Sequence, residues 1–81
     1  MTDYDLWVDF MRMQDDGRLR TRLRHARAGF LPIAGSYVIV GSEDADPAVA
    51  RILSVDAEGA IEVQVLPGMV DEHRDLLTPT G

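Results

Sequence analysis

The stretch Arg18-Leu19-Arg20-Thr21-Arg22-Leu23-Arg24-His25 carries an arginine at every second position. Side chains of a β-strand point alternately to opposite faces. The spacing therefore predicts a strand with Arg18, Arg20, Arg22 and Arg24 on one face and Leu19, Thr21, Leu23 and His25 on the other. On a helix the same arginines would scatter around the cylinder. The alternation fixes a strand and a charged face, and the neighbouring segments can be placed from it.

Turn signals come next. Asp15-Asp16-Gly17 and Asp56-Ala57-Glu58-Gly59 both end in glycine between alternating segments, the pattern of hairpin turns whose last residue takes a positive φ. For the second, a loop over 57–59 pairs Val55 with Ile61 and Leu53 with Val63 on one face. A shorter loop would set Asp56 against Ile61, so burial favours the longer one. For the first, a turn at Asp16-Gly17 pairs Phe10 with Leu23, Asp9 with Arg24 and Asp15 with Arg18. These apolar and opposite-charge pairs favour it over a longer loop, which puts Phe10 against Arg22. The competing reading of the N-terminus is a helix over 3–13, with Thr2 as N-cap, Asp5 as its capping-box partner and Leu6, Phe10 and Met13 on one stripe.

Downstream, Ser36-Tyr37-Val38-Ile39-Val40 is a β-branched and aromatic run between Gly35 and Gly41, which predicts a buried strand. Phe30-Leu31-Pro32-Ile33 reads as an extended connection, because proline removes a ladder donor. The segment from Ser42 to Pro47 reads as a polar loop. Leu66-Pro67-Gly68 ends the last long strand, and residues 70–77 suit one or two helical turns. The result is an all-β chain of five strands with a short C-terminal helical turn. Short strands separated by glycine turns fold as small barrels or sandwiches. At this length the pattern fits a five-stranded SH3-like barrel built from an N-terminal hairpin and a second hairpin. The alternatives are an OB-like barrel, or an N-terminal helix packed on a three-stranded sheet. Residues 1–77 are expected to form a single domain, with 78–81 as a flexible tail.

Bulk properties narrow the function classes. A chain of 81 residues buries a modest core, with an expected stability of about 3–5 kcal/mol unless assembly adds to it. There is no cysteine, which excludes disulfides, thiolate metal sites and thiol catalysis and makes a reducing, cytoplasmic setting the default. The N-terminal residues lack a signal-peptide pattern, and no stretch approaches the length of a membrane span. The net charge is −6, but its distribution matters more. Residues 12–27 hold six arginines against Asp15 and Asp16, while the rest of the chain holds twelve acids against Arg51 and Arg74. All eight basic residues are arginine, whose planar guanidinium suits bidentate and stacked contacts.

No catalytic residue is assigned. His25 shares its strand face with Leu19 and Leu23 and reads as a barrel-end histidine; His73 lies in Asp71-Glu72-His73-Arg74-Asp75, which is not a metalloprotease pattern. Ser36, Ser42 and Ser54 stand in no nucleophile elbow, and no glycine-rich phosphate loop exists. The acidic loop Glu43-Asp44-Ala45-Asp46 lacks the glycine and the bidentate glutamate of a calcium loop, so no metal and no cofactor is expected. Tyr4, Trp7 and Tyr37 could in principle form an aromatic groove, yet a chain with five aromatics needs most of them inside. The arginine strand is the best functional candidate. Arg18, Arg20, Arg22 and Arg24 would supply charged contacts and Trp7 an apolar anchor. The expected function is a non-enzymatic protein-interaction module, with a protein partner or a second copy met across the N-terminal hairpin. The alternative is a nucleic-acid-associated barrel using the same arginines, against which the acidic whole argues.

Overall fold

The arginine stretch forms β2 (Arg18–Arg22), and its burial alternates residue by residue as the spacing requires: Leu19 and Thr21 are buried, Arg18, Arg20 and Arg22 exposed. The computed structural model describes residues 4–43 and 45–77. Around β2 lie β1 (Leu6–Trp7), β3 (Tyr37–Ser42), β4 (Ala45–Val55) and β5 (Ala60–Val65). They form one mixed five-stranded sheet in the order β1-β3-β4-β5-β2, curled into a half-barrel, the small all-β barrel class that the strand pattern predicts. A 3₁₀ turn at Val70–His73 leads into α1 (Arg74–Leu77), the expected C-terminal helical turn. The expected tail at 78–81 and the Thr2 cap lie outside the described residues.

The N-terminal hairpin is corrected. β2 pairs antiparallel with β5, matching Leu19 with Val63 and Thr21 with Ile61, rather than with the residues before the Asp16-Gly17 turn. Those earlier residues instead give β1, which runs parallel to β3 with Leu6 beside Val40, then a 3₁₀ turn at Phe10–Arg12 capped by the Asp9 carboxylate. The sequence-local pairs lose because β5 offers β2 two fully buried β-branched partners, each worth about 1.5–3 kcal/mol of burial. The competing helix over 3–13 is also absent, since residues 6–7 are strand.

β2 ends at Arg22, one residue after its last buried side chain, Thr21, and opposite Ala60, the first residue of β5. Leu23 N–H still donates to Gly59 C=O, at 2.8 Å, but there β5 has turned back into its hairpin. Leu23–His25 close into a 3₁₀ turn, which brings Ala26 alongside Leu6. Leu23 and His25 are therefore exposed rather than on the buried face.

The second hairpin keeps its three-residue loop: Val55 faces Ile61, and the Asp56 carboxylate accepts from Glu58 and Ala60 N–H, both at 2.9 Å. A bulge at Leu53 alters the register beyond it, pairing Ile52 rather than Leu53 with Val63 and delivering Ile52 to the core. The expected polar loop over 42–47 is also mostly strand. β3 turns directly into β4 with Ser42 opposite Ala45, and the acidic position Asp44 lies outside the described residues. Pro47 is tolerated in a central strand because the register shifts there. Gly41 alone stands across from Asp46 and Pro47, so the missing proline N–H falls in a bulge.

The core joins Leu6, Leu19, Val40, Ile52, Ile61 and Val63 inside the curl, with Phe10 and Phe30 at its margin. Val49 points to the opposite face and is buried there, on the side where the C-terminal turns pack against β4 and β3. Asp5 fastens β1 in place. Its carboxylate accepts from Arg27 Nε at 2.7 Å and Ile39 N–H at 3.2 Å, while its own N–H and C=O bond Ile39 and Arg27.

Gly17 shows how tightly the first turn meets β5. Its φ is +88°, and a Cβ there would sit 2.8 Å from the Val65 carbonyl oxygen, which also accepts no displacement because Val65 N–H bonds Gly17 C=O. Gly17→Ala is expected to lower unfolding free energy by at least about 1–2 kcal/mol in urea denaturation. Leu31→Ser, at a side chain 79% exposed, should stay within about 0.5 kcal/mol of the parent. Equal stability of all three proteins would contradict this placement of the turn.

Candidate functional site

The outermost strands of the sheet, β1 and β2, approach each other across a seam rather than through a ladder. One bond crosses it: the Thr21 hydroxyl donates to the Trp7 carbonyl at 2.8 Å. Thr21 is the buried polar side chain of the described core, at 7% exposure, and its inward position follows from the same alternation that turns the arginines outward. The bond satisfies a backbone acceptor that β1 otherwise presents to the seam.

Above this bond lies an open groove of about 360 Å³, lined by Trp7, Asp9, Arg12, Arg20, Arg22, Arg24 and His25 around Thr21. Three segments build it. β2 contributes Arg20 and Arg22. The 3₁₀ turn after β2 swings Arg24 and His25 over the seam, and β1 with its following turn supplies Trp7, Asp9 and Arg12. The Trp7 and His25 rings are tilted at 49° with centroids 5.1 Å apart, giving the groove an aromatic wall.

The arginines differ in how far they are already neutralised. Arg18 is held by Asp16 at 2.7 Å and does not line the groove, and its N–H and guanidinium together keep the Asp16 carboxyl below the usual aspartate range. Arg12 meets Asp9 at 3.7 Å, and Arg20 meets Glu62 across the strands at 4.0 Å, both exposed pairs of small worth. Arg22 and Arg24 make no ion pair or hydrogen bond with a described residue. The groove thus presents two unpaired guanidinium groups and two loosely paired ones beside a half-buried indole.

Of the residues expected to form the site, Arg20, Arg22, Arg24 and Trp7 converge here, and Arg18 stands at the strand's far end. Arg24 arrives by the 3₁₀ turn rather than along the strand. Sequence reasoning missed Arg12, Asp9 and His25. Asp9 and Arg12 at i and i+3 were the available signal, but it carries meaning only once residues 10–12 are known to turn. The tyrosines are not part of the groove: the Tyr4 ring lies over Gly41, and Tyr37 is opposite Arg51. Among the described residues, no group of three or more His, Asp or Glu is placed to hold a metal ion, and no helix is long and apolar enough to cross a membrane.

No protein-family model, curated protein or solved structure matches this chain.

Thr21 offers a direct check on the seam. Thr21→Val keeps the shape, removes the donor and leaves the Trp7 carbonyl unpaired, and is expected to cost about 1–3 kcal/mol. Thr21→Ser keeps the hydroxyl and should cost about 0.8 kcal/mol, the worth of one buried methyl. Urea unfolding followed by Trp7 emission measures both. A Val variant as stable as the parent would show that the seam does not depend on this bond.

Proposed function

We propose that this chain is a cytoplasmic, non-enzymatic interaction module that binds an acidic segment of a protein partner in the seam groove. In this reading Arg20, Arg22 and Arg24 make the charged contacts, Arg18 extends them along β2, and Trp7 is the apolar anchor. The observation that carries the reading is the pair of unpaired guanidinium groups, Arg22 and Arg24, set beside Trp7 and His25 in one concavity. Arginine and tryptophan are the side chains most enriched where binding energy concentrates, and a guanidinium fork matches a carboxylate in two parallel bonds. The rest of the surface is acidic, so a partner must bring its negative charge to this groove locally; long-range attraction between whole molecules does not help it. A second copy of this chain, itself at net charge −6, is one source of such a segment.

One observation favours the second reading, a single-stranded nucleic acid. Trp7 and His25 bring aromatic faces to the arginines, the pairing of stacking surface and phosphate contacts that such strands use.

The single tryptophan of the chain reports on the groove directly. Titration with an alternating Glu-Val peptide of about twelve residues, at about 50 mM and about 500 mM salt, is expected to shift Trp7 emission with an affinity that falls as salt screens the charges. Arg22→Glu with Arg24→Glu should abolish the response while leaving the urea midpoint near that of the parent. An oligonucleotide that binds where the peptide does not would replace the first reading by the second. No response to either ligand would remove both.

A further inference from the structure

The backbone of β2 adds a second recognition element to the arginine side chains. In an antiparallel pair, alternate residues turn their N–H and C=O toward the partner strand and the residues between turn theirs away. Two hydrogen bonds set the phase: Val65 N–H donates to Gly17 C=O and Leu23 N–H to Gly59 C=O, each at 2.8 Å. Odd-numbered residues of β2 therefore face β5, and Arg18, Arg20 and Arg22 direct their backbone groups to the other edge. At Arg18 these are satisfied, its N–H by the Asp16 carboxylate and its C=O by Gln14 N–H. At Arg20 and Arg22 no strand is paired through the backbone, since β2 ends the sheet and ladders with β5 alone, and β1 meets it only through the Thr21 side chain. The groove runs along this edge, with Arg20, Thr21 and Arg22 forming one bank.

We infer that the acidic partner segment binds as an added β-strand on the open edge of β2. This rests on the charge reading above and specifies its geometry. Arg20 N–H and C=O and Arg22 N–H pair with the main chain of an extended segment. Glutamate or aspartate at every second position of that segment falls on the face that carries the Arg20 and Arg22 guanidinium groups, and the intervening apolar residues face the seam beside Trp7. Strand addition gives affinity through the main chain and selectivity through alternate side chains. Charge complementarity names the occupant. A second β2 laid on this edge would set arginine against arginine, a repulsive cross-strand arrangement that guards edges from self-pairing. The chain's own acids alternate with period two over no more than two positions, as at Asp56 and Glu58, so a longer alternating acidic segment comes from another polypeptide.

The test uses the full chain and the alternating Glu-Val peptide, together with variants of that peptide N-methylated at single successive residues. Strand addition requires a strict alternation. Methylation on the edge-facing set should weaken binding at least about tenfold, methylation on the other set far less. In the bound state the Arg20 and Arg22 amide protons should gain protection from hydrogen exchange, with Leu19 and Thr21 little changed because β5 already holds them. Methylated peptides that all bind equally, without new protection at Arg20 and Arg22, would overturn strand addition and leave the side-chain charge reading standing. Failure of the unmodified peptide to bind would overturn both. Protection of Arg20 and Arg22 that appears on concentrating the protein alone would place a second copy on the edge and overturn the choice of a different polypeptide.

Discussion

The bond from the Thr21 hydroxyl to the Trp7 carbonyl is the constraint around which this structure is organised. Five short strands do not complete a barrel by backbone pairing alone, and the sheet's outer strands are held across the seam by one side chain. What makes this sufficient is the surrounding fastening. Asp5 ties β1 to β3 on one side and to Arg27 on the other, and Ala26 runs beside Leu6. The seam is closed below by the core and by Thr21 but remains open above, and that opening is the groove. A single alternation in sequence thus has two products: its inward residues close the barrel, and its outward residues give the opening its charge.

Arginine on an edge strand has two physical roles that do not conflict. A bare edge is a template for indiscriminate pairing, and charge along it prevents two copies from joining strand to strand. The same charge admits a strand of opposite sign. Selectivity here is a difference between partners: like charges exclude one class and complementary charges accept another. Ion pairs with Asp16 and Glu62 reduce the field at Arg18 and Arg20, so the unpaired charge concentrates at Arg22 and Arg24, which share the groove with Trp7 and His25. An acidic body elsewhere on the molecule limits non-specific attraction of polyanions, leaving short-range geometry to decide what binds.

Much of this fold was legible because its signals are local. The alternation at 18–22, the positive φ of Gly17 and Gly59, the buried run at 37–40 and the helical turn at 70–77 each follow from a few adjacent residues. The pairing of β2 was not, because its partner β5 lies some forty residues away and the nearer segment offered plausible apolar and charged pairs of its own. Pro47 misled in the same manner. A proline in a polar stretch reads as loop, and only the bulge opposite Gly41 accommodates it within a strand. At the site, the arginines and Trp7 were visible as residue types. Arg12, Asp9 and His25 became part of it only through two 3₁₀ turns whose formation depends on where the neighbouring strands stop.

A basic strand edge and an apolar loop at Leu31 and Ile33 both face solvent, and the acidic segment is assigned to the strand edge. Backbone-amide NMR of the full chain with the acidic peptide tests that choice residue by residue. Binding at the strand edge predicts perturbed amides clustered on residues 18–25 and the Trp7 indole, with the loop over 30–34 and the C-terminal turns unmoved. Perturbation centred on Leu31 and Ile33, or spread evenly over the surface, would contradict it.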